Sequence, residues 1–247
     1  EINTLTHSSA ASDVYKRQHP EREVPPDVER RYFDWLERRA AGVPAHHLTG
    51  SCPFWGRDFE VSPAVLVPRP ETEMLVDRAR ELGGETLLDL CTGSGCVAIV
   101  CALRLPVARV VATDVSGAAL EVAKRNAETH QVGERVRFLE GDLFEPLEAE
   151  ARFDLILANP PYVPTGEADE VARHEPREAL FAGPDGMEVI RRLIEGAPAR
   201  LEAGGSLLVE IGEDQEDAVR ALAEPLFRAV EIHRDLAGHP RVLEARL

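Results

Sequence analysis

Seven short apolar runs recur between residue 86 and residue 247, and their spacing restricts the fold more than any other feature. They read TLLDL (86–90), RVVATD (109–114), VRFLEGD (136–142), FDLILAN (153–159), SLLVEIG (206–212), RAVEIHRD (228–235) and RVLEARL (241–247). Each has the length and β-branched, apolar character of a buried strand. Helical stretches are expected between the first four runs and again over 186–202 and 213–226. Alternating β and α units with apolar strands imply an α/β fold, a mainly parallel sheet covered on both faces in the doubly wound manner. The last two runs are joined only by LAGHP, too short for a crossover helix, so they should pair antiparallel.

Ahead of this block the pattern is different. Two prolines at 25 and 26 precede Val28, Tyr32, Leu36 and Ala40 at four-residue spacing, which predicts one amphipathic helix. Residues 51–73, SCPFWGRDFEVSPAVLVPRPETE, alternate apolar and polar positions around WGRD and then become proline-rich, as a β-hairpin followed by an extended linker would. Residues 1–18, EINTLTHSSAASDVYKRQ, are polar and without periodicity. They carry Lys16, whereas 26 of the 28 basic residues are arginine, so a non-native or disordered tail is expected there. The organisation expected is therefore 1–18 tail, 19–50 helical segment, 51–73 hairpin and linker, and 74–247 main domain.

The chain of 247 residues carries a formal charge of −16 and only scattered Arg-Arg pairs, so it should repel a phosphate backbone. No direct nucleic-acid substrate is expected. There is no run of 18 apolar residues and no basic-then-apolar leader, so the expectation is a cytoplasmic protein without a membrane partner. Cys52, Cys91, Cys96 and Cys101 match neither a zinc spacing nor a disulfide framework. They read as small packing residues, and no metal site is expected.

The first strand of the main domain runs into DLCTGSGCVAI (89–99). Gly93 and Gly95 allow a tight turn and close backbone approach to a ligand, and the helix that follows presents free N–H groups. Ala98 stands where a third glycine of the dinucleotide fingerprint would fall. The second strand ends at Asp114, placed to accept both hydroxyl hydrogens of a ribose. A nicotinamide cofactor fits that spacing too. S-adenosylmethionine, which has no phosphate, needs a ribose carboxylate, a close backbone and an acidic neighbour for its ammonium; Asp89, Gly93, Gly95 and Asp114 supply that set. Asp142 and Leu143, at the end of the third strand, are placed for the adenine.

The fourth strand ends in ANPPYVP (158–164). An amide or a ring-attached amino group is a poor nucleophile because its lone pair is delocalised. It can take a methyl group when held in line, with its hydrogens engaged by acceptors that strengthen as charge develops on nitrogen. The Asn159 side-chain oxygen and the Pro160 carbonyl can be those acceptors, Pro160 and Pro161 direct the backbone, and Tyr162 can stack on a flat substrate group.

These features resemble the class I methyltransferases that modify planar nitrogens, a Rossmann-like seven-stranded plan with an antiparallel last strand. RRAAGVPAHHLTG, FWGRDFEV, VLVPRPETEMLV, RHEPREALFAGPDGMEVIRRLI and RDLAGHPRVLEARL narrow the resemblance to the release factor glutamine methyltransferases, the PrmC/HemK family, over about residues 38–247. It implies methylation, from S-adenosylmethionine, of the side-chain nitrogen (N5) of the glutamine in the Gly-Gly-Gln tripeptide of bacterial peptide chain release factors. It also implies that 91–95 form the cofactor loop, that Asn159 to Tyr162 bind the glutamine, and that Arg69, Glu71 and Glu73 face the catalytic cleft. Residues 19–50 are expected to be the remnant of a larger helical substrate-docking domain. Three positions depart from the family pattern: Cys91 replaces a glycine and needs a negative φ, His47 replaces a tyrosine, and Leu143 is small for an adenine-stacking position. A ribosomal-protein glutamine methyltransferase, an N6-adenine methyltransferase and a binding module that has lost catalysis are the competing readings.

Overall fold

The structure is a computed structural model in which residues 24–105, 109–166 and 173–247 are described; the expected tail at 1–18 lies outside them. The chain divides into two units at Ala41/Gly42. In the first, helix α1 (Pro26–Ala40) starts at its proline pair, with Asp27 and Glu29 in the first turn and Arg38 and Arg39 in the last. That charge order complements the helix dipole.

The second unit begins with the short helix α2 (Ala45–Thr49), closed by Gly50 in the left-handed conformation. Strands β1 (Ser51–Phe54) and β2 (Arg57–Glu60) then pair antiparallel. Trp55 and Gly56 between them have φ of 51° and 71°, both positive, as a two-residue hairpin matched to strand twist requires. The extended linker ends in a 3-10 turn, Pro70–Thr72, and passes directly into α3 (Glu73–Leu82).

From there strands and helices alternate: β3 (Thr86–Leu90), α4 (Cys96–Arg104), β4 (Arg109–Asp114), α5 (Gly117–Thr129), β5 (Val136–Glu140) and β6 (Phe153–Ala158). These are followed by α6 (Glu188–Gly196), β7 (Leu201–Glu210), α7 (Glu216–Ala223), β8 (Ala229–Arg234) and β9 (Pro240–Arg246). The sheet order is β5-β4-β3-β6-β7-β9-β8. Every neighbouring pair from β5 to β7 is parallel, and β9 inserts antiparallel between β7 and β8.

Alternation along the strands loads both faces. Leu87, Leu155, Leu157, Leu208 and Val242 pack with α3 and α4 on one side. Leu88, Ile156, Ala158, Leu207, Val209 and Leu243 pack with α6 and α7 on the other. Side chains two apart share a face of a strand, so the apolar runs fill two cores at once. A third, smaller cluster joins Cys52, Val61, Val65 and Val67 of the hairpin and linker to Ala119 and Val122 of α5.

Two expectations are corrected. No helix joins β5 to β6: Glu145, Leu147 and Ala151 each donate to the carbonyl three residues earlier, giving successive turns. Pro146 offers no N–H in the middle of this segment, and Leu143 sits at φ 47°. The helix expected over 186–202 stops at Gly196, because Pro198 converts the next residues to a 3-10 turn and Leu201 already belongs to β7.

Candidate functional site

The parallel strands deliver their carboxyl ends to one edge, where β3, β4, β5 and β6 stop beside one another. A cleft there is lined by Asp89, Cys91, Thr92, Gly93 and Ser94, by Asp114, by Asp142 and Leu143, by Asn159 and Pro161, and by Val65, Pro68 and Thr72 of the linker. Gly95, Pro160, Tyr162, Arg69 and Glu71 lie outside that lining.

The loop after β3 is braced by two buried or half-buried carboxylates. Asp89, 2% exposed, accepts from the Thr92 hydroxyl at 2.6 Å and from the Ala98 N–H at 3.2 Å. Burial, with Asp114 adding to it, pushes Asp89 up to about 7 against those two hydrogen bonds. Asp114 accepts from the Gly93 N–H at 2.8 Å and the Ser116 N–H at 2.9 Å, and burial raises its pKa as well. Each oxygen of Asp114 is thus engaged once, which leaves lone pairs for hydroxyl donors.

Gly95 reaches φ 79° at the start of α4. A Cβ there would meet the Ala123 Cβ at 3.0 Å and the Ile99 Cδ1 at 3.1 Å, so the loop packs closely on α5. Cys91 has φ of 58°, not the negative value expected: it takes the left-handed conformation of a glycine with a side chain attached. The four cysteines are free thiols, three of them buried. Among the described residues no group of three His, Cys, Asp or Glu is arranged to hold a metal ion.

At the end of β6, the Asn159 amide donates from Nδ2 to the Thr72 hydroxyl at 3.0 Å, so its Oδ1 is the atom left to accept. Tyr162 is raised to about 12, by burial first and by Glu210 second. Its carbonyl accepts from Gln215 Nε2 at 3.1 Å, and Gln215 in turn accepts from the Gly212 N–H at 2.9 Å.

Two residues of the linker, Arg69 and Glu73, hold partners within the protein. Arg69 pairs with the buried Glu175 at 2.6 Å, and Glu175 also accepts from the Val67 N–H at 2.9 Å. Glu73 accepts from the Trp55 N–H at 2.6 Å, which pins the hairpin turn and takes this carboxylate away from the cleft. The Asp142 carboxylate is paired with Arg192 at 2.7 Å. The buried His47 places Nε2 3.3 Å from the Val65 carbonyl, and its Nδ1 has no partner among the described residues, as in a neutral ring donating from Nε2.

Several residues that shape the site carry no motif signal of their own: Thr72 lies within VLVPRPETEMLV and Glu175 within RHEPREAL. Asn126 of α5 donates to the carbonyls of Ser94 at 2.9 Å and Glu60 at 3.0 Å, tying the loop to the hairpin. Glu210 ends β7 as Asp89 and Asp114 stand at the ends of β3 and β4, a recurrence that could have singled it out in VEIG. It is 2% exposed, and burial raises it to about 7.

Comparison with known proteins agrees with this geometry. Residues 70–178 match the family described as Methyltransferase small domain, and residues 5–50 match the PrmC N-terminal domain. Among solved structures, a methyltransferase from Pyrococcus furiosus superposes with a TM-score of 0.63 at 22% identity, over 85% of this chain and 97% of that one. A Thermus thermophilus 16S rRNA methyltransferase superposes with a TM-score of 0.61 at 24% identity, over 79% and 49%. These likenesses establish the fold. The release factor glutamine methyltransferase of Moorella thermoacetica is 43% identical over 230 residues, 90% of this chain and 81% of that protein. That of Neisseria gonorrhoeae is 44% identical over 227 residues, 89% and 82%. The chain belongs to the release factor glutamine methyltransferase family.

Proposed function

We propose that the protein transfers a methyl group from S-adenosylmethionine to the side-chain amide nitrogen (N5) of a glutamine in peptide chain release factors, the glutamine of their Gly-Gly-Gln tripeptide. S-adenosylmethionine supplies, when bound, an electrophilic methyl carbon on a sulfonium. The residues present suit it. Asp114 keeps free lone pairs for the ribose hydroxyls, and Asp89 is a buried carboxylate ready for a cationic neighbour. The 91–95 loop offers close backbone, while Asp142 and Leu143 border the adenine position.

The observation that carries the reading is the orientation of Asn159. With its NH2 group tied to Thr72, its Oδ1 and the Pro160 carbonyl form a pair of acceptors for the two hydrogens of a substrate amide. As the nitrogen forms its new bond it becomes positive, and both contacts strengthen. Tyr162 stacks on the flat amide or its neighbours. Asn159 and Pro160 need remove no proton beforehand, because the cationic product gives one up readily to water.

Residues 74–247 act as the catalytic domain, 51–73 as the hairpin and linker, with Arg69 and Glu71 on the substrate side, and 19–50 as part of the docking surface. The charge of −16 argues against a nucleic-acid substrate. We place the reaction in the cytoplasm, where release factors act, and assign no membrane partner. Among the described residues no helix is long and apolar enough to cross a membrane.

The test is incubation of the purified protein with labelled S-adenosylmethionine and a release factor, followed by mass spectrometry of the modified residue. A single methyl on the Gly-Gly-Gln glutamine is expected. Bound cofactor with no label in the release factor would refute the substrate.

A further inference from the structure

Glu175 is a charged residue held wholly inside the protein, its side chain 0% exposed. A carboxylate in such a place is expensive unless its lone pairs are used. Both oxygens are: Oε2 accepts from an Arg69 guanidinium nitrogen at 2.6 Å, and Oε1 accepts from the Val67 N–H at 2.9 Å. The two donors belong to the linker, 106 and 108 residues earlier in the chain. Glu175 therefore joins two stretches that both border the cleft. Val65, Leu66, Pro68 and Thr72 line it from the linker, and Pro176 and Ala179 line it from the residues that follow Glu175.

The same two stretches hold the Asn-Pro-Pro-Tyr segment from either end. On the linker, the Thr72 N–H donates to the Arg69 carbonyl at 3.1 Å, and the Thr72 hydroxyl accepts from Asn159 Nδ2 at 3.0 Å. Beyond Tyr162, the Val163 N–H donates to the Leu180 carbonyl at 2.8 Å, and the Val163 carbonyl accepts from the Ala182 N–H at 3.0 Å. Between Leu180 and Glu175 the chain makes a tight turn, in which the Ala179 N–H donates to the Pro176 carbonyl at 3.1 Å. These contacts form a ring that runs from Arg69 through Thr72, Asn159, Val163 and Leu180 to Glu175. Glu175 closes it on Arg69 and Val67. We propose that Glu175 is a positioning residue, a clasp that fixes the linker against the 176–179 turn and thereby retains the cofactor and holds Asn159 at its working distance from it. The part concerning Asn159 rests on the glutamine methyltransferase reading above; the part concerning cofactor retention does not depend on the substrate. With the clasp open, the grip of Thr72 on Asn159 and the support under Val163 are no longer set relative to one another.

The test compares the full chain with Arg69→Met, Arg69→Lys, Glu175→Gln and the double variant Arg69→Met with Glu175→Gln. Release of labelled S-adenosylmethionine is followed after an unlabelled chase, methyl transfer to purified release factor is measured at saturating cofactor, and urea unfolding records stability. Arg69→Met and Glu175→Gln should each speed cofactor release by at least about threefold. Each should also lower kcat by roughly 10- to 100-fold with KM for release factor changed by less than about threefold, the mark of lost orientation and not of lost substrate binding. Because both open the same clasp, the double variant should fall no further than the worse single one. Arg69 reaches Glu175 through one nitrogen, a contact an ammonium can also make, so Arg69→Lys should recover most of both losses. Lower stability with wild-type kcat and wild-type cofactor release, losses that multiply in the double variant, no recovery in Arg69→Lys, or a raised KM with unchanged kcat would each overturn the clasp. If Glu175→Gln fails to fold, the two single Arg69 variants decide. A wild-type chain that labels no release factor overturns the substrate reading alone, and cofactor release from the variants then decides the clasp.

Discussion

Replacing Gly186 by alanine should disable the enzyme from a position outside the cleft. Gly186 has φ of +70°, and a Cβ there would lie 2.2 Å from the Tyr162 carbonyl oxygen and 3.2 Å from Gln215 Nε2. Carbon and carbonyl oxygen do not normally approach closer than about 3.3 Å, so one backbone must yield by about 1 Å. The left-handed conformation itself costs a residue with a Cβ about 1–2 kcal/mol, and the overlap costs about 1–3 kcal/mol more. Together these come to about 2–5 kcal/mol, a large part of the 5–15 kcal/mol typical of a domain. Because Gln215 holds the Tyr162 carbonyl, the displacement should pass to the Asn-Pro-Pro-Tyr segment. A misplacement of about 1 Å costs roughly 10²-fold in rate. Urea unfolding monitored by circular dichroism should show the lost stability. Steady-state methyl transfer should show the lost kcat, and calorimetry should find cofactor affinity within a few-fold of wild type, since Gly186 does not line the cleft. A variant with wild-type kcat and wild-type stability would refute the bracket formed by Gly186, Tyr162 and Gln215.

The other outcomes concern the cofactor side. Asp114→Ala should weaken S-adenosylmethionine binding by about 1.5–3 kcal/mol, the value of a charge-assisted hydrogen bond; equal affinity in calorimetry would remove the ribose assignment. For Asp89, raised from 3.8 to about 7 in the folded chain, the native state binds more protons than the unfolded state between those values. Its contribution to stability therefore falls as pH rises from about 4 to about 7. A bound cation favours the ionised form, so binding at pH 6 should release protons, seen as a dependence of the calorimetric enthalpy on the ionisation enthalpy of the buffer; no such dependence would contradict it. Cys91→Gly relieves a left-handed cysteine and should stabilise the fold by about 0.5–1 kcal/mol after the added chain entropy of glycine, read as a higher denaturant midpoint.

Local pattern was enough for much of this molecule. The runs TLLDL and RVVATD coincide with β3 and β4 residue for residue, because a strand buried on both faces must be apolar along its length. The turn at Trp55-Gly56 and the prolines before α1 were equally legible, since each follows from the backbone freedom of one or two residues. The missing helix between β5 and β6 was not: the polar, helix-forming residues around Pro146 disguised a chain of turns.

Asp89, Gly93, Asp114 and Asn159 could be picked from the sequence because each closes or follows a strand, and parallel strands carry their ends to one edge. What residues separated by 87 positions, such as Thr72 and Asn159, do together was beyond it. The pairing of Arg69 with Glu175 and the grip of Gln215 on Tyr162 join elements that no periodicity relates. The sequence by itself determined the layers, the strand identities and the chemistry available at the sheet edge, since these depend on side-chain polarity and near-neighbour geometry. Only the tertiary structure decided which way Asn159 faces, because a hydrogen bond's direction depends on every partner in the chain of contacts behind it.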